Sequence, residues 1–319
     1  MQLIDHRGFD SVTFGDNVKI FASRVEIGDG VIIESDVTIQ AENIFIGDGV
    51  RIERGTTIRG IGGAMELLEL GDYVFVGFSN QILAPKFIMK DYSQLHNSCL
   101  CSGYKELVIG YNCWVGQGSI LNCTDFLQID NNVRIGTGSQ LWTHVASGEL
   151  LEGCTLYGSS PLHLKDNVWI VGGAVVSPGL VLESNSIVMT GAVLTKNTEA
   201  FHTYAGVPAK DVSSKINFWK DVSVVEKFKM MEGFILEFYS EFPQYKGQVH
   251  LLKQLSLKDV VGYSNQIFIS SGVDFELFLN GDNSIFDIST KRYIKIKSAL
   301  EVAWIKFNVG FRSRFTPCT

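Results

Sequence analysis

The sequence predicts an all-β parallel β-helix followed by a small α+β domain. Three observations predict it. Aliphatic residues recur every six positions from Ile27, a small or β-branched residue follows most of them four positions later, and the rhythm stops after Lys210. A six-residue period fits neither an amphipathic helix nor an alternating strand, so each repeat can close its core only by stacking on copies of itself. Three six-residue sides make one triangular coil.

The aliphatic positions group into triplets, and extra residues enter the chain only after the third member of a triplet. One edge of the predicted prism therefore collects all the inserted chain. Phe14 to Val18 is interpreted as an imperfect first coil. The triplets are Ile27, Ile33, Ile39; Ile46, Ile52, Ile58; Leu70, Val76, Ile82; Ile109, Val115, Leu121; Ile129, Ile135, Leu141; Leu164, Ile170, Val176; and Leu182, Val188, Leu194.

Glycine, aspartate and asparagine separate the sides of each coil. Gly28 to Gly30, Gly47 to Gly49 and the pair Asn131 and Asn132 are examples. These residues tolerate the positive φ that a tight bend needs. The sequence therefore predicts a bend between sides in every coil.

Two long insertions are predicted at the edge that follows the third side, over residues 83–108 and 142–163. Because both leave the same edge about two coils apart, we expect them to be neighbours in space. Each carries a histidine, His96 in the first and His144 in the second. The sequence thus predicts a site between the two insertions.

A second domain is predicted over residues 213–319, after a β-helix domain of residues 1–212. Apolar residues at helical spacing predict a helix from Val222 to Phe242. Strands are predicted at 266–269, 275–279 and 284–288, and a helix at 298–307. The chain is expected to end in a small α+β domain.

Composition excludes several function classes. The net charge of −7 and the lack of a basic run argue against a nucleic-acid partner. No apolar run reaches membrane-spanning length, and the first residues lack the pattern of a signal peptide, which favours a cytoplasmic location. The cysteines lack metal-type spacing, and Cys113 and Cys123 are interpreted as small apolar fillers of the coils.

Residues from about Phe14 to Lys210 resemble the hexapeptide-repeat acyltransferases. The stretches Leu164 to Val176 and Ala205 to Lys210 are typical of members that use acyl-coenzyme A. The resemblance implies a left-handed coil, acyl-coenzyme A as cosubstrate, no metal, and a homotrimer whose active sites lie between adjacent prisms. It also implies that His144, on the loop before the Lys165 to Trp169 coil, is the catalytic base.

An imidazole titrates near roughly pH 6.5, so it can accept a proton from an attacking amine or hydroxyl at cellular pH. His96 is the second candidate, and the alternative is that His144 only packs beside Trp142 at a subunit boundary. Asp91, Asp125 or Glu149 could orient an imidazole. The other histidines, His6, His163, His202 and His250, are interpreted as structural.

The remaining candidate residues follow from the same resemblance. Trp169, Gly172 and Gly173 are expected to line the coenzyme channel, although two glycines can also ease a crowded corner. Lys196 and Lys210 are candidates for the coenzyme phosphates. Trp142, Asn122 and Glu149 are assigned to the acceptor substrate.

The long chain and its added domain are most similar to the N-acyltransferases of nucleotide-linked amino sugars, of the dTDP-anthrose pathway type. That likeness predicts acyl transfer from acyl-coenzyme A to the amine of a dTDP-linked amino-dideoxy sugar, by direct attack on the thioester, in cell-surface polysaccharide biosynthesis. O-acetylation of a polysaccharide or small sugar, a zinc hydratase on the same scaffold and a non-catalytic scaffold stay as alternatives. The acyl chain, the sugar, the nucleotide and the proton acceptor, whether His144, His96 or the coenzyme sulfur, stay open.

Overall fold

The computed structural model of the protein describes residues 1–4, 9–146 and 148–318, so the interpretation of His6 lies outside the described residues. The chain divides into two compact units, Met1–Phe218 and Trp219–Thr319. The first unit is a left-handed parallel β-helix with three flat sides, named here sides 1, 2 and 3 in the order the chain visits them. The second unit is a small α+β domain. The predicted fold class is confirmed.

Each side is a ladder of short parallel strands. Side 1 contains Arg24–Ile27, the second half of Thr38–Ile46, Met65–Leu70, Lys86–Met89, Leu107–Ile109, Leu127–Ile129, Leu162–Leu164 and Val181–Leu182. Side 2 contains Thr13–Phe14, Ile32–Ile33, Arg51–Ile52, Phe75–Val76, Gln94–Leu95, Trp114–Val115, Arg134–Ile135, Trp169–Ile170, Ile187–Val188, Thr203–Ala205 and the antiparallel Lys210–Asp211. Side 3 contains Gln2–Leu3, which is antiparallel, then Lys19–Ala22, the first half of Thr38–Ile46, Thr57–Arg59, Gln81–Leu83, Leu100–Ser102, Ile120–Asn122, Gln140–Leu141, Val175–Val176 and Val193–Leu194.

The six-residue rhythm builds the core because each aliphatic residue points inward and stacks on its counterpart in the next coil. On side 2, Ile33 pairs with Ile52, which pairs with Val76, and all three are fully buried. Burying one such side chain contributes roughly 1.5–3 kcal/mol relative to leaving it exposed. A continuous column along each side therefore stabilises coils that would not fold alone.

The bends between sides 1 and 2 are held by a ladder of aspartates. The Asp48 carboxylate accepts a hydrogen bond from the backbone N–H of Asp29 at 3.0 Å, and Asp72 accepts one from the N–H of Asp48 at 2.9 Å. The bends also use positive φ, 66° at Gly30 and 61° at Asn132. The predicted bends are confirmed, and the carboxylates satisfy backbone donors that the bend takes out of the strand ladder.

The predicted insertion over residues 83–108 is wrong, because this segment forms a regular coil. Met89 pairs with Leu70 on side 1, Leu95 with Val76 on side 2 and Cys101 with Ile82 on side 3. All three inward side chains are fully buried. A thioether and a thiol fill positions that are aliphatic elsewhere, since both are soft apolar groups of suitable size.

The predicted insertion over residues 142–163 is present as a β-hairpin that leaves the edge between sides 3 and 1. Its strands are His144–Ala146 and Tyr157–Ser159, which pair antiparallel with His144 opposite Ser159. The chain returns to side 1 at Leu162, which pairs with Leu127. His144 thus lies at the base of the hairpin, next to the prism.

The second unit contains a five-stranded sheet and three α-helices. The strand order is Val249–Leu251, Ile267–Ser270, Ser284–Asp287, Arg292–Tyr293 and Thr316–Pro317, and the first three are parallel. The helices are α1 (Val224–Glu241), α2 (Leu257–Val260) and α3 (Ala299–Asn308), with 3₁₀ turns at Pro243–Tyr245 and Phe275–Leu277. In the core, the Phe238 ring lies 5.1 Å from that of Trp304 and 5.4 Å from that of Phe307.

The predicted helices at 222–242 and 298–307 and the strands at 266–269 and 284–288 are confirmed within a few residues. The predicted strand at 275–279 is wrong, because Phe275–Leu277 is a 3₁₀ turn. The Asp274 side chain accepts a hydrogen bond from the Glu276 N–H and so favours a turn over an extended strand. None of the helices in the described part of the chain is long and apolar enough to cross a bilayer.

Candidate active site

His144 is held at the hairpin base by Asn122, a residue of the preceding coil. The imidazole Nδ1 lies 2.9 Å from Asn122 Oδ1. Asn122 ends the side 3 strand of its coil, and the next coil places Thr143 and His144 directly beside it. His144 is half-buried, so one part of the ring faces the protein and another faces outward.

The amide orientation of Asn122 is fixed by its other partners. Its Nδ2 donates to the backbone carbonyl of Ser102 at 3.1 Å, and a carbonyl can only accept. Its Oδ1 accepts from the Thr143 hydroxyl at 2.7 Å and from the Thr143 N–H at 3.2 Å. The oxygen therefore faces His144, and the neutral imidazole must carry its proton on Nδ1. Nε2 is left as a proton acceptor.

Trp142 forms one wall beside His144. The two rings lie 5.9 Å apart in an edge-to-face arrangement, and the Trp142 indole N–H donates to Gln140 Oε1 at 3.1 Å. Glu149 is exposed on the hairpin, where its backbone carbonyl accepts a hydrogen bond from the Cys154 N–H at 3.1 Å. The structure thus brings Trp142 to His144 and leaves the Glu149 side chain on the outer part of the hairpin.

Asn122 differs from its predicted role. It is 5 % exposed and its amide bonds to the protein through both polar atoms, so it supports His144 instead of facing an acceptor. Asp125 was a candidate for that support, but its carboxylate accepts from the Phe126 N–H. Asp91, another candidate, accepts from the Asp72 N–H. Asn122 lies at the end of side 3, one coil before His144, but this spacing does not separate it from the other polar residues nearby.

His96 does not lie beside His144, and the prediction that the two are neighbours is wrong. Because residues 83–108 form a coil, His96 sits at the corner between sides 2 and 3, directly after Leu95. Its ring lies 4.9 Å from that of Trp114 and 5.6 Å from that of Phe75. Burial lowers the pKa of His96, so the ring favours its neutral form. His144 lies at the other end of side 3.

Trp169, Gly172 and Gly173 lie together on side 2 and its corner with side 3. Trp169 is 47 % exposed. A Cβ on Gly173 would meet no atom within 4 Å, and one on Gly172 would be 3.5 Å from the Thr137 carbonyl oxygen, an ordinary contact. There is room for a side chain at both positions, so crowding does not explain the two glycines. Their φ values of 152° and 58° do, because residues with a side chain rarely adopt them. The Gly173 N–H donates to the Thr137 carbonyl, so it is committed to the coil.

Lys196 and Lys210 lie near the last coil. Lys196 follows the final side 3 strand, and Lys210 pairs with Ala205 in the antiparallel strand that closes side 2. Both are exposed. Their side chains therefore face solvent at one end of the prism.

Of the other histidines, His163 lies 2.8 Å from Asp130 Oδ2 on side 1, and His250 stacks on Phe268 with ring centroids 4.7 Å apart.

Among the residues that the structure describes, no group of three or more histidine, cysteine, aspartate or glutamate side chains is arranged to hold a metal ion. The described cysteines are free thiols, and Cys99, Cys101, Cys113 and Cys123 are buried in the coils. The site at the hairpin base is thus composed of an imidazole, its amide support and an indole.

Comparison with known proteins gives partial matches to acetyltransferases. No protein-family model matches the chain. The chain is 32% identical over 110 residues to a Schizosaccharomyces pombe protein that carries an acetyltransferase name, covering 34% of this chain and 50% of the relative. It is also 32% identical over 104 residues to galactoside O-acetyltransferase of Escherichia coli (strain K12), covering 30% of this chain and 50% of the relative. The chain thus spans about half the length of these curated relatives.

Solved structures with related architecture were also found. The polySia-specific acetyltransferase NeuO matches at 14% identity and a TM-score of 0.41, over 69% of this chain and 94% of that one. A point mutant of AntD, an N-acyltransferase from Bacillus cereus in complex with dTDP and coenzyme A, matches at 15% identity and a TM-score of 0.31, over 70% and 92%.

Proposed function

We propose that the protein is an acyltransferase that uses acyl-coenzyme A, and that its acceptor is the amino group of a nucleotide-linked amino-dideoxy sugar of the dTDP type. The hydrogen bond between His144 Nδ1 and Asn122 Oδ1 carries the proposal, because it leaves Nε2 as a fixed proton acceptor. The acetyltransferase names of the two partial relatives support the reaction class.

The reaction follows from the chemistry of a thioester. The acceptor nitrogen attacks the thioester carbonyl and a carbon–nitrogen bond forms. His144 Nε2 takes the proton that the nitrogen loses, and the carbon–sulfur bond of the tetrahedral intermediate then breaks. The proton passes to the departing thiolate, so the imidazole returns to its neutral form and no acyl-enzyme is needed. Trp142, beside His144, offers a flat apolar surface to the acceptor ring.

We propose that the pantetheine arm of the coenzyme lies on the surface around Trp169. The indole is exposed, and the space beyond Gly173 is open where a side chain would otherwise stand. A narrow apolar chain can therefore approach the backbone along this corner. Lys196 and Lys210, both exposed, are proposed to meet the coenzyme phosphates.

The two halves of the proposed site lie on different edges of one prism. His144 is at the edge between sides 3 and 1, and Gly172 is at the corner between sides 2 and 3. Side 3 separates them within each coil, so a single chain does not bring them together. We propose a homotrimer in which one prism supplies the imidazole and its neighbour supplies the coenzyme surface.

Mixed assemblies test this arrangement. His144→Ala and Gly172→Trp are each expected to reduce turnover by at least about 10²-fold in a homogeneous sample. Coexpression of the two variants is expected to restore a fraction of the activity, because some interfaces then combine two intact halves. Restoration excludes a site within one chain. No restoration, with trimers present by light scattering, contradicts the shared site.

Release of coenzyme A thiol with a panel of acceptors tests the function itself. We expect turnover with a dTDP-linked amino sugar, and a loss of about 10²–10⁴-fold in kcat for His144→Ala. His163→Ala is the matched control, since that imidazole bonds to Asp130 on side 1. Nearly full turnover by His144→Ala would contradict its role.

O-acetylation of a sugar is the second candidate, favoured by the 32% identity to galactoside O-acetyltransferase. The same imidazole can deprotonate a hydroxyl. Acceptors that differ only in bearing an amine or a hydroxyl at the same carbon separate the two. Preference for the hydroxyl compound would replace the first proposal with the second.

A further inference from the structure

His202 precedes the last parallel strand of side 2, and its imidazole contacts two other segments. Its Nδ1 lies 2.6 Å from Asp211 Oδ2, and its Nε2 lies 3.7 Å from Glu199 Oε2. Asp211 ends the antiparallel strand Lys210–Asp211, and Glu199 lies on the segment after the last strand of side 3. One imidazole therefore bridges carboxylates of two separate segments.

Asp211 is also held through its other carboxylate oxygen. Oδ1 accepts hydrogen bonds from the Ser213 hydroxyl at 2.6 Å and from the Ser213 N–H at 2.8 Å. The Ser213 hydroxyl oxygen in turn accepts one from the Thr203 N–H at 2.8 Å. The carboxylate thus connects the antiparallel strand to the coil that it closes.

The two contacts of the imidazole differ in kind. The contact with Asp211 is a hydrogen bond, which a neutral imidazole can keep by donating from Nδ1. The 3.7 Å contact with Glu199 is too long for a hydrogen bond, so it depends on the positive charge of an imidazolium. In the neutral ring, the lone pair of Nε2 would face that carboxylate instead. Loss of the proton therefore weakens the bridge on the Glu199 side.

The two lysines proposed to meet the coenzyme phosphates lie on the segments that His202 bridges. Lys210 directly precedes Asp211, and Lys196 lies three residues before Glu199. Both lysine side chains are exposed, so the backbone that carries them decides where their ammonium groups stand. We propose that His202 is a positioning residue for coenzyme binding, which in its protonated form holds together the segments that carry Lys196 and Lys210.

Coenzyme affinity is then expected to depend on the protonation of His202. The hydrogen bond with Asp211 raises the pKa of His202, and the negative charges of Asp211 and Glu199 act in the same direction. The imidazolium is therefore retained above the usual imidazole pKa of roughly 6.5 and is lost as pH rises through the raised value. We expect the Kd of coenzyme A to rise about three- to tenfold when the proton is lost.

Calorimetric titration of the full chain with coenzyme A, from about pH 6 to about pH 9, tests the proposal. In His202→Gln a neutral amide replaces the ring and can still donate to Asp211. Its Kd should exceed that of the unchanged protein about three- to tenfold at the lower pH, and the two values should converge at the higher pH. The ratio of the two Kd values removes the titration of the coenzyme's own phosphates.

Other variants separate this bridge from a general effect of histidine. His163→Gln is the matched control, because the His163 side chain is equally exposed, at 36%, and also pairs with an aspartate, but on side 1. Its Kd ratio should not change with pH. Glu199→Gln, on an exposed side chain, should weaken coenzyme binding at the lower pH. In turnover assays, His202→Gln should raise the KM for acyl-coenzyme A and leave kcat nearly unchanged, since the proposed base is His144.

This inference rests on the proposed use of acyl-coenzyme A, and the titration distinguishes the two possible failures. Saturable binding with a ratio of His202→Gln to unchanged protein that is constant with pH overturns the role of His202 and leaves the proposed function standing. Equal weakening in His163→Gln and His202→Gln overturns that role as well. Absence of saturable coenzyme binding at every pH overturns both.

Discussion

The Nδ1 nitrogen of His144 lies 2.9 Å from the Oδ1 atom of Asn122, and the two residues belong to consecutive coils. The stacking of coils, not the local sequence, creates this contact. Since Asn122 is buried and also bonds to Thr143 and Ser102, it holds one tautomer and one orientation of the imidazole. The prism thus acts as a rigid support for a single reactive nitrogen.

Substitution of Asn122 is expected to reduce turnover without removing the imidazole. Asn122→Ala should lower kcat by about 10–100-fold with little change in KM, because His144 loses its orienting partner. Asn122→Asp should move the acidic limb of the pH profile to higher pH, because a carboxylate favours the imidazolium. Asn43→Ala is the control, since that amide bonds to a backbone carbonyl in an early coil. A pH profile unchanged in Asn122→Asp would argue against the contact.

Gly136 marks the closest approach between neighbouring coils at the corner of sides 2 and 3. A Cβ there would lie 1.9 Å from the backbone carbonyl oxygen of Val171, and that backbone cannot move without breaking the ladder. We expect Gly136→Ala to reduce the free energy of unfolding by about 3 kcal/mol. Gly173→Ala, with open space but a φ of 58°, should cost only about 1–2 kcal/mol. Chemical denaturation of the two variants compares them directly, and equal losses would contradict the steric argument.

Most of the β-helix could be predicted from the spacing of aliphatic residues, because one inward residue per side fixes the register. The coil of Met89, Leu95 and Cys101 was missed although it keeps the same spacing. The triplets contain only isoleucine, leucine and valine at the six-residue positions, so a coil with methionine and cysteine at two of them is interpreted from the sequence as an insertion. The interpretation of residues 83–108 as an insertion also predicts His96 beside His144. Once this segment is recognised as a coil, His96 falls at the corner between sides 2 and 3.

The contact of His144 with Asn122 could not be predicted from the sequence, because the chain separates the two residues by a full coil and sequence spacing does not select among nearby polar residues. Asp125 is also close in sequence, yet its carboxylate turns to the Phe126 N–H. In the second unit, Asp274 converts the alternating residues from Phe275 into a 3₁₀ turn. In both cases a side-chain hydrogen bond to the backbone determines the local structure. The spacing of apolar residues gives no information on such hydrogen bonds.

Thiol reactivity is expected to be confined to the outer cysteines. Burial raises the pKa of Cys113 and of Cys123 to about 12, and raises that of Cys101 well above its usual range. Thiolate is the reactive form, so these residues should resist a disulfide reagent at about pH 8 in the folded chain. Cys154, half-exposed on the hairpin, should react first. Mass spectrometry after brief labelling measures this, and Cys154→Ser should remove most of the background in thiol-release assays.

The pair of His202 and Asp211 should give a measurable pH dependence at the last coil. The two side chains lie 2.6 Å apart, the pKa of His202 is raised by its hydrogen bond with Asp211, and the pKa of Asp211 is lowered to about 2 by Ser213 and then His202. The stability that His202 contributes is present below its unfolded pKa and is lost as pH rises through its raised pKa. The aspartate contribution is present above its unfolded pKa and is lost as pH falls toward about 2.

Stability from this pair is therefore expected to be greatest between roughly pH 4 and 6.5, the unfolded pKa values of the two groups. The effect is small because both side chains are exposed to solvent. Proton NMR titration of the His202 ring measures the raised pKa, and His202→Gln should flatten the difference in unfolding free energy across that range. A ring that titrates as an isolated imidazole would contradict the pairing.

Glu301 is a fully buried carboxyl group in the second unit. Its oxygens accept hydrogen bonds from the Ile296 N–H at 2.7 Å, the Ser284 hydroxyl at 2.6 Å and the Lys297 N–H at 3.3 Å. Glu301→Ala leaves these donors without an acceptor and is expected to destabilise the unit by about 2–4 kcal/mol. Glu301→Gln keeps one acceptor oxygen and should cost less.

The two variants also separate hydrogen bonding from charge. Burial is the main cause that raises the pKa of Glu301, so the folded chain favours the protonated carboxyl group. The stability that this group contributes is therefore greatest below its unfolded pKa and falls as pH rises through the raised value. The Glu301→Gln protein has no such titration, and the difference in its free energy of unfolding from the unchanged protein should shrink as pH rises above about 4, the unfolded pKa of a glutamate. Denaturant unfolding followed by tryptophan fluorescence, with Trp304 buried in the same core, measures the deficit at each pH. A deficit that grows with pH would show that hydrogen bonds to the ionised form dominate its burial.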